Sequence, residues 1–112
     1  MKEEKAMLKS DAFTFWIRVD THNFMSLGCG PIWKKKLVAA EKCVVVGFNA
    51  LVGYDSDRKV WCVWEAFSGG LCGWGKTKEG AKQTARRNIK RTPDFKKQIK
   101  ELGPVSELKE VR

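Results

Sequence analysis

Histidine is almost missing from this chain, with His22 the only one in 112 residues. The four cysteines, at positions 29, 43, 62 and 72, form no C-x-x-C pair. A zinc site wants ligands two to four residues apart, so no metal is expected. Gly28-Cys29-Gly30 and Gly73-Trp74-Gly75 lack the remaining residues of a dinucleotide or phosphate-loop motif, and no cofactor is expected. No apolar run approaches the roughly 18–20 residues of a membrane span. The opening Met1-Lys2-Glu3-Glu4-Lys5 carries charge and no apolar core of a signal peptide, so a cytoplasmic protein away from membranes is expected. Nothing in the sequence assembles nucleophile, base and oxyanion donors. His22 and Cys29 come nearest, but a lone loop histidine reads as solvated. A cysteine enzyme built on Cys29 is the weakest reading, and no catalytic residue is assigned. Cys43, Cys62 and Cys72 fall in apolar text, where a free thiol behaves as a small core hydrophobe.

What the chain does have is apolar and aromatic matter: 43% hydrophobic and 11% aromatic residues, five of them tryptophan. That suffices for one domain with a real core. Phe13, Phe15, Ile17 and Val19 alternate with Thr14, Trp16 and Arg18, a half-buried strand over 12–19. Gly28-Cys29-Gly30-Pro31 breaks the chain, and the helical spacing of Ile32, Trp33, Lys36, Leu37 and Ala40 predicts a short helix over 32–42, with extended structure as the alternative. Residues 43–54 and 59–67 read as strands around turn chemistry at Asp55-Ser56-Asp57-Arg58. Ser68-Gly69-Gly70 closes a hairpin with a strand at 71–76. Thr77 caps a helix over 77–91, in which Ala81, Ala85 and Ile89 form the buried seam. Thr92-Pro93 predicts a second short helix over 93–102, ended by Gly103. The expectation is an α+β fold: a three- or four-stranded antiparallel sheet packed on the C-terminal basic helix. The domain then covers 1–103, with 104–112 a frayed tail.

Charge is distributed unevenly. Residues 1–75 hold ten basic and eight acidic groups, whereas 76–100 hold ten basic groups against only Glu79 and Asp94. A block of that density is the footprint expected for a polyanion. Lys78, Lys82, Arg86 and Lys90 recur every four residues and predict one exposed basic stripe.

The stretch Gly73-Trp74-Gly75-Lys76-Thr77-Lys78-Glu79-Gly80-Ala81-Lys82-Gln83-Thr84-Ala85 resembles the end of the double-stranded RNA-binding domain, G-x-G-x-[ST]-K-K-x-A-K-x-x-A. Gly73, Gly75, Thr77, Lys78, Ala81, Lys82 and Ala85 match, and Glu79 stands where the family has a second lysine. The resemblance covers 43–91 and is specific over 73–89. It implies a phosphate clamp of Lys76, Lys78 and Lys82, extended by Arg86, on duplex RNA first and duplex DNA second; Arg87 and Lys90 on the basic edge of the helix are expected to join it. On that basis, reversing Lys78 and Lys82 to Glu abolishes binding without unfolding the domain. The family's G-P-x-H loop has no counterpart in the partly acidic 54–59. The ending is also similar to the arm-binding domains of phage-type integrases and to HicB-like antitoxins.

Trp74, two residues before Lys76, is the candidate for stacking unpaired bases, a contact of about 1–3 kcal/mol per base. Trp61 and Trp64 read as core. The rival function is a protein-binding module (an antitoxin, inhibitor or phage-type effector) turned toward an acidic partner, with 12–19 as an edge for homodimerisation.

Overall fold

The computed structural model describes residues 13–20 and 33–111. His22, Cys29 and the break at 28–31 lie outside the described residues. Five strands run as one antiparallel meander in chain order: β1 (Phe13–Asp20), β2 (Trp33–Val45), β3 (Phe48–Asp55), β4 (Val60–Glu65) and β5 (Leu71–Gly75). Helices α1 (Lys78–Arg91) and α2 (Phe95–Leu102) follow, then a 3-10 turn at Val105–Glu107. Among the described residues the fold is α+β as expected, with five strands rather than three or four.

The extra strand comes from the segment whose spacing predicts a helix over 32–42. It lies within β2 because its backbone is paired along its whole length, first with β1 and then with β3. Residues 33–40 pair with β1, from Asp20↔Trp33 to Phe13↔Ala40, and 41–45 pair with β3. Helix propensities differ by only tenths of a kcal/mol per residue, so ladder pairing and burial decide. Between its two pairings β2 folds over the face of β3. A Cβ on Gly53 would sit 2.5 Å from the Ala39 carbonyl oxygen, so only glycine admits the crossing.

That crossing gives the sheet two cores. On one side Val45, Ala50, Val52, Val63 and Cys72 pack under Ala81, Ala85 and Ile89 of α1. On the other, Ile17 and Ala40 from the β1–β2 hairpin cover Leu51, Cys62 and Trp64. Trp64 is buried as expected, and Trp61 lies partly buried on the helix side. Between Val63↔Gly73 and Trp64↔Leu71 the register shifts, leaving Cys72 as a bulge residue in the α1 core.

Arg18 ties the first strand to the last helix. Its Nε donates to the Ser68 carbonyl at 2.9 Å, and its Nη2 to the carbonyls of Leu102 at 2.9 Å and Gly103 at 3.1 Å. The guanidinium also lies 5.3 Å from the Trp33 ring centroid. Burial lowers its pKa below the usual arginine value; at neutral pH it stays charged, held by carbonyl dipoles. The buried Glu65 carboxylate completes the turn, accepting from the Phe67 and Ser68 amides and the Ser68 hydroxyl, each at 2.7 Å.

Two boundaries differ from the sequence reading. Thr92 closes α1 rather than opening α2: its amide donates to the Ile89 carbonyl and its hydroxyl to the Asn88 carbonyl. Asp94 then turns the chain at φ 53°, and α2 starts at Phe95. The segment read as a frayed tail is tied down. Val105 is buried, and its amide donates to the Phe67 carbonyl. Further on, Lys35 bonds to Lys109 and Val111 through its backbone amide and carbonyl.

Candidate nucleic-acid interface

Most of the motif at the β5–α1 junction serves packing and capping. A Cβ on Gly75 would come 2.9 Å from the Ala81 amide nitrogen, and one on Gly73 2.6 Å from that of Ala85. Two glycines two apart on a strand thus face two alanines four apart on a helix. The repeats match, at about 6–7 Å along the strand and about 6 Å along the helix. Thr77 caps α1 as expected, its hydroxyl accepting from the Gly80 amide at 2.9 Å. Gly73, Gly75, Thr77, Ala81 and Ala85 therefore hold the helix against the sheet, and the lysines of the motif stand outside that packing.

Those lysines do not act alike. The Lys78 ammonium lies 2.9 Å from each carboxylate oxygen of Glu41 and 5.7 Å from the centroid of the Trp61 ring. Trp61 in turn meets Tyr54 edge-on at 5.6 Å. Lys82 is half-buried, 3.7 Å from Glu79. Arg86, Arg87, Lys90 and Arg91 are exposed, and none forms an ion pair among the described residues. Helix geometry explains the gradient. Each step of four residues advances about 40° around the axis, so the row from Lys78 to Lys90 winds from the sheet seam into solvent. Reversing Lys78 to Glu would set two carboxylates against each other beside Trp61, so that substitution carries a structural cost the sequence reading did not include. Lys76 is exposed at the junction itself.

Trp74 is 55% exposed. It pairs with Cys62, whose side chain belongs to the core away from α1, and so stands on the opposite sheet face from the helix. On α1 itself, Asn88 donates to the Cys72 carbonyl on the β5 side, while Lys78 reaches to Glu41 of β2. The structure does not bring Trp74 and the basic flank together. The β1 edge, the expected homodimer contact, meets the β4–β5 turn, with the Arg18 amide donating to the Gly69 carbonyl at 2.9 Å.

The three described thiols are free. Burial, followed by the nearby Glu65 charge, pushes Cys72 up to about 12. Burial and then Asp55 raise Cys62. Cys43 is raised by burial against the opposing charge of Lys82. None is set up as a nucleophile, since the reactive form is the thiolate. Among the described residues no group of three or more His, Cys, Asp or Glu side chains could hold a metal, and no helix is long and apolar enough to cross a membrane.

Compared with family models, curated proteins and solved structures, the chain matches none.

Sequence reasoning missed Glu41 as a participant. Its signal was the alternation Ala39, Glu41, Cys43, which sets Glu41 on the helix side of the sheet once 33–45 is read as a strand. Arg91, part of the basic block but not among the expected contacts, stands exposed in the last turn of α1.

Proposed function

We propose that the protein binds the phosphate backbone of duplex nucleic acid, RNA first and DNA second, through the solvent-facing flank of α1. One observation carries this reading: Arg86, Arg87, Lys90 and Arg91 project from the last two turns with no carboxylate partner among the described residues. Four unneutralised cations on about 8 Å of helix form a phosphate-binding surface. Arg is well suited to the role, because its planar fork can hold phosphate oxygens in pairs. The resemblance of 73–89 to the double-stranded RNA-binding domain supports the same ligand class. In this reading Lys76 and Lys82 flank the grip, and recognition follows duplex shape and backbone rather than base edges. Trp74, on the other sheet face, lies outside it.

The test is fluorescence anisotropy with a labelled 20-base-pair RNA duplex, the matching DNA duplex and the single strand, at two salt concentrations. Duplex binding is expected to weaken steeply with salt and to be lost in the triple variant Arg86→Glu, Arg87→Glu, Lys90→Glu. Trp74→Ala leaves it unchanged. Absence of duplex binding at low salt would overturn the reading and turn attention to an acidic protein partner.

A further inference from the structure

We propose that Glu41 is a built-in counter-anion that withholds Lys78 from the ligand and so sets both the strength and the position of the α1 grip. This inference rests on the nucleic-acid reading above and adds a specificity-determining residue that carries the wrong charge for a phosphate contact.

The pairing is geometrically complete. Both Glu41 oxygens lie 2.9 Å from the Lys78 ammonium, so the carboxylate occupies that cation much as two phosphate oxygens would. Both partners are held by the fold. Glu41 opens the β2–β3 ladder opposite Val52, at the point where β2 changes partners. Lys78 is the first residue of α1, directly after the Thr77 cap. Trp61 flanks the ammonium and is itself held by Tyr54. The carboxylate is therefore presented by a rigid strand rather than by a loop.

The two side chains are nonetheless 35% and 39% exposed, so the pair faces water and a polyanion can reach it. An exposed pair of this kind is weak, and it can be opened by removing one charge without unmaking the core. With Glu41 present, the first turn of α1 offers a phosphate a neutralised lysine beside an acid. The row Lys78, Lys82, Arg86 and Lys90 is then effective only toward its C-terminal end, and the ligand backbone is displaced toward the last two turns. Without the Glu41 charge, Lys78 joins the row and lengthens it to about 18 Å.

The experiment compares Glu41→Gln, Lys78→Gln and the double variant in the full chain, by anisotropy with the same duplexes across a salt series. Thermal melts check that each variant is folded. Glu41→Gln is expected to bind several-fold more tightly, with the slope of log K against log salt on the DNA duplex steeper by about 0.9, one added phosphate contact. Lys78→Gln alone is expected to change affinity less than twofold, and in the double variant to cancel the gain, the coupling a pairwise interaction requires. An unchanged affinity and slope in folded Glu41→Gln would overturn the proposal. So would a loss in Lys78→Gln as large as in Arg86→Gln, since Lys78 would then be a ligand contact already. Should Glu41→Gln fail to fold, Lys78→Gln against Arg86→Gln decides alone. Wild-type protein that binds while Glu41→Gln gains nothing defeats only this inference; no binding by either defeats the nucleic-acid reading as well.

Discussion

Gly73 of β5 and Ala85 of α1 touch backbone to backbone: a Cβ built on the glycine would lie 2.6 Å from the Ala85 nitrogen and 2.9 Å from its Cα. The seam between helix and sheet is closed at this point, with no side chain of Gly73 in between.

Gly73→Ala is therefore expected to destabilise the fold by about 1–3 kcal/mol or more, the usual cost of overpacking a closed core. The obstacle is main chain, so trimming Ala85 to glycine does not relieve it. Urea unfolding of the single and double variants checks both statements.

The spacing of that seam was legible in the sequence, because a strand period of two and a helix period near four leave their marks in Gly73, Gly75, Ala81 and Ala85. The hairpin at 68–70, the Thr77 cap and the stop at Gly103 were legible for the same reason: each is a local geometric demand met by a particular residue type. What could not be read locally were pairings set by distant chain. Lys34, Lys35 and Lys36, followed by Leu37 and Ala40, suit a helix until β1 supplies their partners and β3 takes up the strand beyond them. Arg18, alternating with apolar residues, looks like a solvent-facing strand position, yet its acceptors lie at Ser68, Leu102 and Gly103. Lys78 reads as a free clamp because its partner, Glu41, stands 37 residues away.

The β2–β3 turn carries strain that one substitution removes. Val46 and Gly47 hold φ values of 50° and 79°, a turn with both central residues left-handed. A β-branched residue there costs about 1–2 kcal/mol, which asparagine largely avoids. Val46 is 40% exposed, so little burial is lost. Val46→Asn is expected to raise the urea midpoint by the equivalent of about 1 kcal/mol with an unchanged slope.

Cys72 makes stability fall at alkaline pH. Burial, and then the Glu65 charge, pushes its thiol from the ordinary cysteine value up to about 12 in the fold. The folded state therefore binds the proton more tightly. The contribution is fully present below about pH 9 and is lost as pH rises through the folded value. Melting temperatures measured from pH 8 to 11 are expected to drop less in Cys72→Ala than in the parent chain. Iodoacetamide at pH 8 is expected to leave Cys72 unlabelled until denaturant is added.

The Arg18 bridge also bears on the order in which the molecule is made. Its three acceptors lie 50, 84 and 85 residues further along the chain. Contacts of such separation raise the entropic cost of loop closure and slow folding. During synthesis β1 leaves the ribosome before any of these acceptors, and its arginine has only the Ser68 carbonyl to grasp until Leu102 and Gly103 have emerged. The second core can thus gather from residues up to Ala66, whereas the bridge that pins its covering strand closes only when the residues after α2 arrive.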